Sequence, residues 1–361
     1  MAERTGDFEW RAEGDEAEII LYAPDDSALN LILPATRLPG VESPVYAAAS
    51  AQNFGCISVS ATHAAPDLVT APARGLLLSA GASVDGIGVR ADDLVRLMFR
   101  NLSELSLPHL GGSGIRRTCE AGAWTAAEDS LIEEEDLQFF DLSAGDPDAL
   151  GRRALSAGER DWDLLPNLRV YSVGDVLDAE TAESLDLDQG TIVLSVEAGA
   201  GDLGRLALAA HRERILGRIR AGVDFDAEDD LPATPLDSEE AADLLAATYA
   251  AANFADGRAA LTLYALRRAF MDITGEVRPV ASWRIGGFEG RDASLVHRRG
   301  LARVSGGEAL ASGGNVAAGT GAMLGSAPPF EVAEVDGSWP WEEAGLLERV
   351  ANLEDLERRK T

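Results

Sequence analysis

A glycine-rich segment in the second half of the chain carries a pattern that could bind an anion. Thr191 to Val196 predicts a buried strand, glycines follow at 199, 201 and 204, and Arg205 to Arg220 predicts a helix. A strand, a glycine turn and a helix N-terminus can present backbone N–H groups to an anion. Because Asp202 stands where an anion would approach, the pattern is also typical of a tight turn that binds nothing. Both interpretations stay open.

Side chains that bind metals through nitrogen or sulfur are scarce. The chain has four histidines and two cysteines, and neither Cys56 nor Cys119 belongs to a CxxC or Cys/His cluster. We therefore exclude a zinc knuckle, a disulfide scaffold and a disulfide-linked partner. The apolar stretches fall short of the roughly 18 residues that a membrane-spanning helix needs, and the first residues do not resemble a signal peptide. We expect a cytoplasmic protein without a membrane partner.

The charge balance is strongly acidic. Among 361 residues, 61 are acidic and 31 basic, the formal net charge is −30, and Lys360 is the only lysine. Such a surface suits a cytoplasm at very high salt, where charges are screened within roughly 3 Å at 1 M, and we predict a halophile. A high-GC genome would also explain the missing lysines. Molar salt removes most of the counterion-release term, so the net charge does not decide whether RNA binds.

The patterning predicts an α+β fold. We expect mixed sheets flanked by the helices at Arg205 to Arg220 and Asp237 to Phe270, in a single large domain. The acidic segment from Ile132 to Asp148 is interpreted as a solvated connection. The chain divides into N-terminal strands at 1–35, a main domain at 36–325 and an acidic, partly flexible C-terminal tail at 326–361.

The start and interior of the second helix can be located more closely. Asp237 is the predicted N-cap, and Glu240 reaches back to complete a capping box. The segment from Asn253 to Arg258 interrupts the apolar stripe, which predicts a break before a second helix that ends at Phe270. Asn253 inside the stripe is a polar group that needs a partner.

This helix resembles the "AAANFA" helix of the RtcB RNA-splicing ligases. Other landmarks of that family follow in the same order over residues 36 to 323: "LPGI" at Leu38 to Val41, "DGH" at Ala61 to His63, "GIGYDINCGVRL" at Gly86 to Leu97, "VHTGSRGLG" at Gly190 to Gly199, "VHRKG" at Leu295 to Gly300 and "GTEGAM" at Gly319 to Met323. The collinear order carries the resemblance, because the motifs other than the Asn253 helix and the His297 turn are altered.

The resemblance implies a reaction that this sequence does not support. Members of the family join RNA ends with a 2′,3′-cyclic phosphate or 3′-phosphate to a 5′-hydroxyl, using GTP and manganese through a guanylylated histidine. The family's metal-ligand positions are changed here: its aspartate falls at Arg90, its cysteine at Asp93, a histidine and a glutamate at Pro166 and Arg169, and two more histidines at Glu197 and Ser282. The guanylylated histidine has no counterpart. We therefore assign no catalytic residue and do not expect GTP or manganese to bind.

Some residues are remnant candidates for ligand binding. Asp93, Glu197 and His63 are weak candidates for metal ligands, and Ser312, Gly313 and Gly314 lie where the family has a phosphate-contacting loop. An ordinary glycine turn is the alternative for the last three residues. We interpret Asn253 and His297 as structural, and His109 and His211 as surface or packing residues.

Three functions are compatible with these changes. In the first, the chain is an inactive paralogue that binds RNA ends or an intact RtcB ligase. In the second, it is an RNA ligase in which Asp93, Glu197 and Asp92 hold magnesium or manganese. In the third interpretation only the fold is shared, and function does not follow from it.

The changes at the former metal positions suggest a compensation of charge. Two carboxylate positions hold Arg90 and Arg169, whereas a cysteine and a histidine position hold Asp93 and Glu197. We hypothesise that the two guanidinium groups lie beside the two carboxylates and neutralise them in place of manganese. Alternatively, all four side chains point to solvent.

Overall fold

The structure is a computed structural model. It describes residues 3–4, 9–13, 17–22, 36–38, 41–43, 55–87, 96–97, 100, 112–162, 166–176, 179–222, 232–291, 293–299, 301–304, 307–310 and 351–355. Helices and antiparallel sheets both contribute to it, which confirms the predicted α+β class. Each strand pair in the described residues is antiparallel, so the prediction of mixed sheets was wrong.

The described residues include short and long strands. In chain order they are β1 (Glu3–Arg4), β2 (Glu9–Glu13), β3 (Ala17–Tyr22), β4 (Thr36–Leu38), β5 (Val41–Ser43), β6 (Gly55–Ser60), β7 (His63–Ala64), β8 (Ala73–Ser83), β9 (Asn167–Val176), β10 (Thr191–Gly199), β11 (Thr234–Pro235), β12 (Arg278–Ile285), β13 (Phe288–Arg291), β14 (Ser294–Arg299), β15 (Leu301–Val304), β16 (Gly307–Leu310) and β17 (Ala351–Asp355).

The helices of the described residues lie mainly between β8 and β12. They are α1 (Val84–Ile87), α2 (Gly112–Ala121), α3 (Trp124–Glu128), α4 (Pro147–Asp161), α5 (Ala179–Ser184), α6 (Gly201–Gly222) and α7 (Glu239–Thr274), with 3-10 helices at Pro66–Leu68 and Glu134–Phe139. None of the helices in these residues has the length and apolar character required to cross a membrane.

Two sheets organise the strands. One has the order β1-β2-β3-β6-β14-β13, and the other has the order β16-β15-β12-β8-β10-β9-β17. In the first sheet β3 pairs with β6, which joins the N-terminal strands to the main part of the chain. In the second, β17 pairs with β9, so part of the C-terminal segment forms an edge strand. The predicted domain boundaries stay predictions.

Helix α7 covers one face of the seven-stranded sheet. Leu76 on β8 and Leu194 and Val196 on β10 share that face because strand side chains alternate between faces. They form one buried cluster with Phe254 and Phe270 of the helix. Alanines along α7 let its backbone approach the sheet closely, and burial of this apolar surface stabilises the layered arrangement.

Helix α7 differs from its prediction in two ways. Its N-cap is Ser238, not Asp237, since the Ser238 hydroxyl accepts a hydrogen bond from the Ala241 N–H at 3.1 Å. The predicted break after Asn253 was also wrong, because the helix runs unbroken for 36 residues. Gly257 lies inside it, where a Cβ would come within 2.2 Å of the Thr118 side chain on α2. The glycine therefore permits close helix packing and does not end the helix.

The segment from Ile132 to Asp148 is more ordered than predicted. It contains the 3-10 helix Glu134–Phe139, in which Asp136 is buried. The carboxylate of Asp136 accepts hydrogen bonds from the Arg267 guanidinium at 2.5 and 2.8 Å. This ion pair ties the acidic segment to α7, and part of the segment is therefore core, not a solvated connection.

Candidate functional site

The site begins with a row of residues across four strands. Glu197 on β10 lies opposite Asn167 on β9 and Gly75 on β8, and Gly75 lies opposite Trp283 on β12. Arg169 pairs with the residue two positions before Glu197 and is therefore its diagonal neighbour. Cross-strand partners share one face of a sheet. Glu197, Arg169 and Trp283 accordingly lie on the face opposite to α7.

The indole of Trp283 lies directly over Gly75. A Cβ at Gly75 would be 1.8 Å from Trp283 Cε2 and 2.0 Å from Nε1, so a side chain at position 75 would overlap the ring. Trp283 is 1% exposed, and its buried Nε1–H makes no hydrogen bond in the described structure. The space next to Glu197 along this row is therefore filled by an aromatic ring.

Ser282 does not lie with Glu197. It pairs with Leu76, whose side chain faces α7, whereas the next residue, Trp283, pairs with Gly75. A register irregularity between Pro279 and Ala281 shifts the pairing of β12 against β8. Trp283, not Ser282, is consequently the β12 residue on the face of Glu197.

The other predicted site positions are distributed more widely. Pro166 directly precedes β9 and is half-buried. The positions outside the described residues are Arg90, Asp92, Asp93, His109, Ser312, Gly313 and Gly314. Since Arg90 and Asp93 are among them, the hypothesis of a compensating arginine and carboxylate cluster stays a prediction. The two members of the hypothesised cluster that the structure describes, Arg169 and Glu197, lie on one face of the seven-stranded sheet.

His63 is held away from this row. It belongs to β7, which pairs with β11 outside the seven-stranded sheet, and its Nδ1 is hydrogen-bonded to the Thr62 hydroxyl at 2.9 Å. In the part of the chain that the structure describes, no group of three His, Cys, Asp or Glu side chains could hold a metal ion. The described donor set therefore does not fit the manganese site that the resemblance implies.

The glycine turn before α6 is occupied by a carboxylate of the chain itself. Asp161, at the end of α4, accepts a hydrogen bond from the Asp202 N–H at 2.7 Å, in the first turn of α6. Gly201 has φ +54°, and Arg258 donates to the carbonyl of Gly199 at 2.7 Å. An internal anion thus satisfies the helix N-terminus, which favours the interpretation as a tight turn.

Asn253 fixes a surface segment to α7. Its amide nitrogen donates to the carbonyl oxygens of Cys119, Glu120 and Ser143 at 2.9 to 3.0 Å, and its amide oxygen accepts from the Ser143 N–H at 3.0 Å. The buried amide that required a partner has four. It positions residues 141–143 beside the α7-facing side of the sheet.

A buried charge cluster next to this segment was not predicted. Arg74 on β8 donates to both carboxylate oxygens of Asp256 at 2.7 and 3.1 Å and to Asp141 at 2.7 Å. Arg284 on β12 donates to the Ser143 hydroxyl at 3.0 Å. The signal in the sequence was an arginine two residues before the apolar run at 76–78, where a buried strand leaves a charge in need of a carboxylate.

The two arginines are compensated unequally. Burial lowers the pKa of Arg74, but Asp256 and Asp141 outweigh it and raise the pKa. Burial is the main cause that lowers the pKa of Arg284, and the neighbouring Arg74 lowers it further. Asp256 and Asp141 raise this pKa but do not outweigh the burial. The net result is a raised pKa for Arg74 and a lowered pKa for Arg284.

Cys119 and His211 are both buried. Burial raises the pKa of the Cys119 thiol to about 12, which makes it a poor nucleophile at neutral pH. His211 lies between α6 and α4, where its Nε2 is hydrogen-bonded to the Ala149 carbonyl at 2.9 Å, and burial lowers its pKa. Both residues serve packing.

Comparison with known proteins indicates a distant relationship to one family. The chain is similar to the tRNA-splicing ligase RtcB of Pyrococcus abyssi, with 27% identity over 205 residues, 51% of this chain and 21% of the relative. It is also similar to the tRNA-splicing ligase RtcB of Thermococcus kodakarensis, with 26% identity over 219 residues, 55% of this chain and 43% of the relative. The chain thus spans less than half the length of these relatives. No protein-family model matches it.

Proposed function

We propose that this distant relative of the RtcB ligases is a catalytically inactive paralogue that binds RNA ends. The observation that carries the proposal is the row on the face opposite to α7. The positions that resemble the family's metal ligands hold Arg169 and Glu197, and an indole over Gly75 fills the adjacent space. A carboxylate and an arginine can bind a ribose hydroxyl and a phosphate, but they do not replace a set of histidine and cysteine ligands.

Manganese and GTP supply the ligase chemistry in the family that the chain resembles. The metal polarises phosphate oxygens, and the guanylylated histidine carries the nucleotide. Among the described residues, Glu197 does not belong to any group of three or more His, Cys, Asp or Glu side chains that could hold a metal ion. What supports an inactive protein is therefore the chemistry of the donor set.

The direct test is incubation with labelled GTP and manganese, followed by denaturing electrophoresis. We expect no label on this protein, whereas an RtcB ligase treated in parallel should carry protein-bound GMP. A labelled band would contradict inactivity and would favour a ligase with a rearranged carboxylate metal site. The same mixture should leave RNA with 3′-phosphate and 5′-hydroxyl ends unjoined.

Binding of RNA ends needs a separate measurement. Fluorescence anisotropy at 0.5 and 2 M potassium chloride should show tighter binding of a 3′-phosphorylated oligonucleotide than of its 3′-hydroxyl form. Replacing Arg169→Met should weaken this binding about tenfold, the usual effect of losing one charged hydrogen bond. Arg117→Met is the control, because Arg117 pairs with Glu128 and Asp129 on the surface. Equal binding of both oligonucleotides would reject the proposal, as would complex formation with an RtcB ligase in the absence of RNA binding.

A further inference from the structure

Consecutive strands of the seven-stranded sheet carry arginines in register. Arg284 on β12 pairs with Arg74 on β8 and, on its other side, with Arg303 on β15. Like charges directly opposite each other in adjacent strands repel. Arg74 has a close counter-charge of its own, because it binds Asp256 at 2.7 Å. Arg284 is the direct cross-strand neighbour of this arginine.

The contacts of Arg284 in the described structure neutralise little of its charge. One guanidinium nitrogen donates to the neutral Ser143 hydroxyl at 3.0 Å. Another lies 4.0 Å from the Asp141 carboxylate, which Arg74 already binds at 2.7 Å. A partly buried cation with so weak a counter-charge is costly, because desolvation is not offset by a close ion pair. The lowered pKa of Arg284 has the same physical origin.

The guanidinium is both fixed and accessible. Its side chain is 20% exposed, and the adjacent Asp141 side chain is 46% exposed, so this end of the cluster reaches solvent. The Asn253 side chain is hydrogen-bonded to both the backbone N–H and the backbone carbonyl of Ser143, and the Ser143 hydroxyl accepts a hydrogen bond from Arg284. The arginine is thus positioned before any ligand arrives, which reduces the entropy lost on binding.

We propose that Arg284 binds the phosphate group of a small ligand where its side chain reaches solvent beside residues 141–143. A guanidinium fork matches the geometry of a tetrahedral oxyanion, and a phosphate would give Arg284 a closer anionic partner than Asp141, which lies at 4.0 Å. Tyr249 is half-buried within electrostatic range of Arg284 and offers a hydroxyl donor. The site lies on the α7 side of the sheet, opposite to Glu197, and is independent of the function proposed above.

Calorimetric titration at constant, high ionic strength in potassium chloride tests the proposal. The probes are inorganic phosphate, adenosine monophosphate and acetate. Wild-type protein should bind phosphate saturably with one site per chain, and Arg284→Met should lower the association constant about tenfold or more. Arg116→Met should leave it unchanged, because Arg116 is a surface residue that pairs with the exposed Asp148.

Folding of each variant is checked by circular dichroism and thermal unfolding. If Arg284→Met does not fold, Arg284→Lys keeps the charge but loses the planar fork, and it should weaken phosphate binding at least about threefold. Tighter binding of adenosine monophosphate than of inorganic phosphate would identify a nucleotide as the source of the phosphate group, and the reverse order would identify the free ion. Absence of saturable phosphate binding, unchanged binding by both Arg284 variants, or equally tight binding of acetate would overturn the proposal.

Discussion

His297 should make the stability of this protein depend on pH in the acidic range. It lies on β14 with 0% exposure, where its Nε2 accepts the Ala65 N–H at 3.1 Å and its Nδ1 donates to the Ser58 carbonyl at 3.2 Å. This arrangement requires the neutral imidazole. Burial lowers the pKa of His297 from 6.5 to about 4, although the Ser58 and Leu295 backbone groups oppose the shift.

The sign follows from where each state takes up its proton. Between pH 6.5 and pH 4 the unfolded chain protonates this histidine and the folded chain does not, so acidification favours unfolding. The stabilising contribution is complete above the unfolded pKa of 6.5 and is lost as the pH falls towards 4. The difference between the two pKa values corresponds to about 3 kcal/mol of unfolding free energy.

Urea unfolding at several pH values between 7.5 and 4, at fixed salt, would measure this loss. The wild type should lose about 3 kcal/mol more than His297→Gln, whose amide can donate and accept but does not titrate. Subtracting the loss measured for His297→Gln from that of the wild type removes the contribution of the many carboxylates that both proteins share. His63→Gln is the control, since His63 is half-buried on a short strand. Parallel stability curves for wild type and His297→Gln would refute the reasoning, as would an imidazole resonance of His297 that titrates near pH 6.5.

Three further predictions concern the buried interior. Arg74→Met should reduce the free energy of unfolding by about 3 to 5 kcal/mol, because it leaves the Asp256 carboxylate buried without its cation. Gly75→Ala should cost about 1 to 3 kcal/mol, since its methyl group would overlap the Trp283 indole, and Trp283→Ala in the same protein should remove most of that penalty. Cys119 should resist alkylation at pH 8 in the folded protein and react in denaturant, which peptide mass spectrometry would show.

The two substitutions at Arg74 and Gly75 each have a control in the chain. Gly217→Ala, on α6 with open space around the new methyl group, should stabilise by up to about 1 kcal/mol, as expected for glycine within a helix. Arg116→Met at the surface should change stability by less than about 0.5 kcal/mol. If Arg74→Met were as mild as Arg116→Met, or Gly75→Ala as favourable as Gly217→Ala, the buried contacts would not carry the energies assigned to them. Alkylation of Cys119 in the native protein would contradict its burial.

Local signals in the sequence predicted several elements well. The apolar run at 191–196 became β10, and Asn253 needed a partner and has four. The start of α7 was misplaced by one residue, because Asp237 and Ser238 are both good N-caps and only the hydrogen bond distinguishes them. The predicted break over Asn253 to Arg258 was wrong. Gly257 in this segment permits a close contact with Thr118, and such a tertiary contact cannot be told from a helix end in the sequence.

Residues that meet through strand register could not be predicted from the sequence. Ser282 and Trp283 exchange faces if β12 moves by one position, and the irregularity after Pro279 that fixes its register leaves no clear pattern in the chain. The pairing of Arg74 with Asp256 joins residues 182 positions apart. A buried arginine needs a carboxylate partner, but which carboxylate pairs with which arginine depends on the packing of α7 against the sheet.

The two faces of the seven-stranded sheet differ in how they relate to the resemblance. On the α7 face, the Asn253 helix that carries the resemblance still packs against the strands, and its polar groups are bonded to the segment around Ser143. On the opposite face, the resemblance implies metal ligands at Glu197 and Arg169, and the Trp283 indole covers Gly75, the cross-strand partner of Glu197. Selection on packing alone would preserve the first face and leave the second unconstrained. A fold can persist without the activity of its relatives, so the proposed loss of the ligase reaction is compatible with a retained fold.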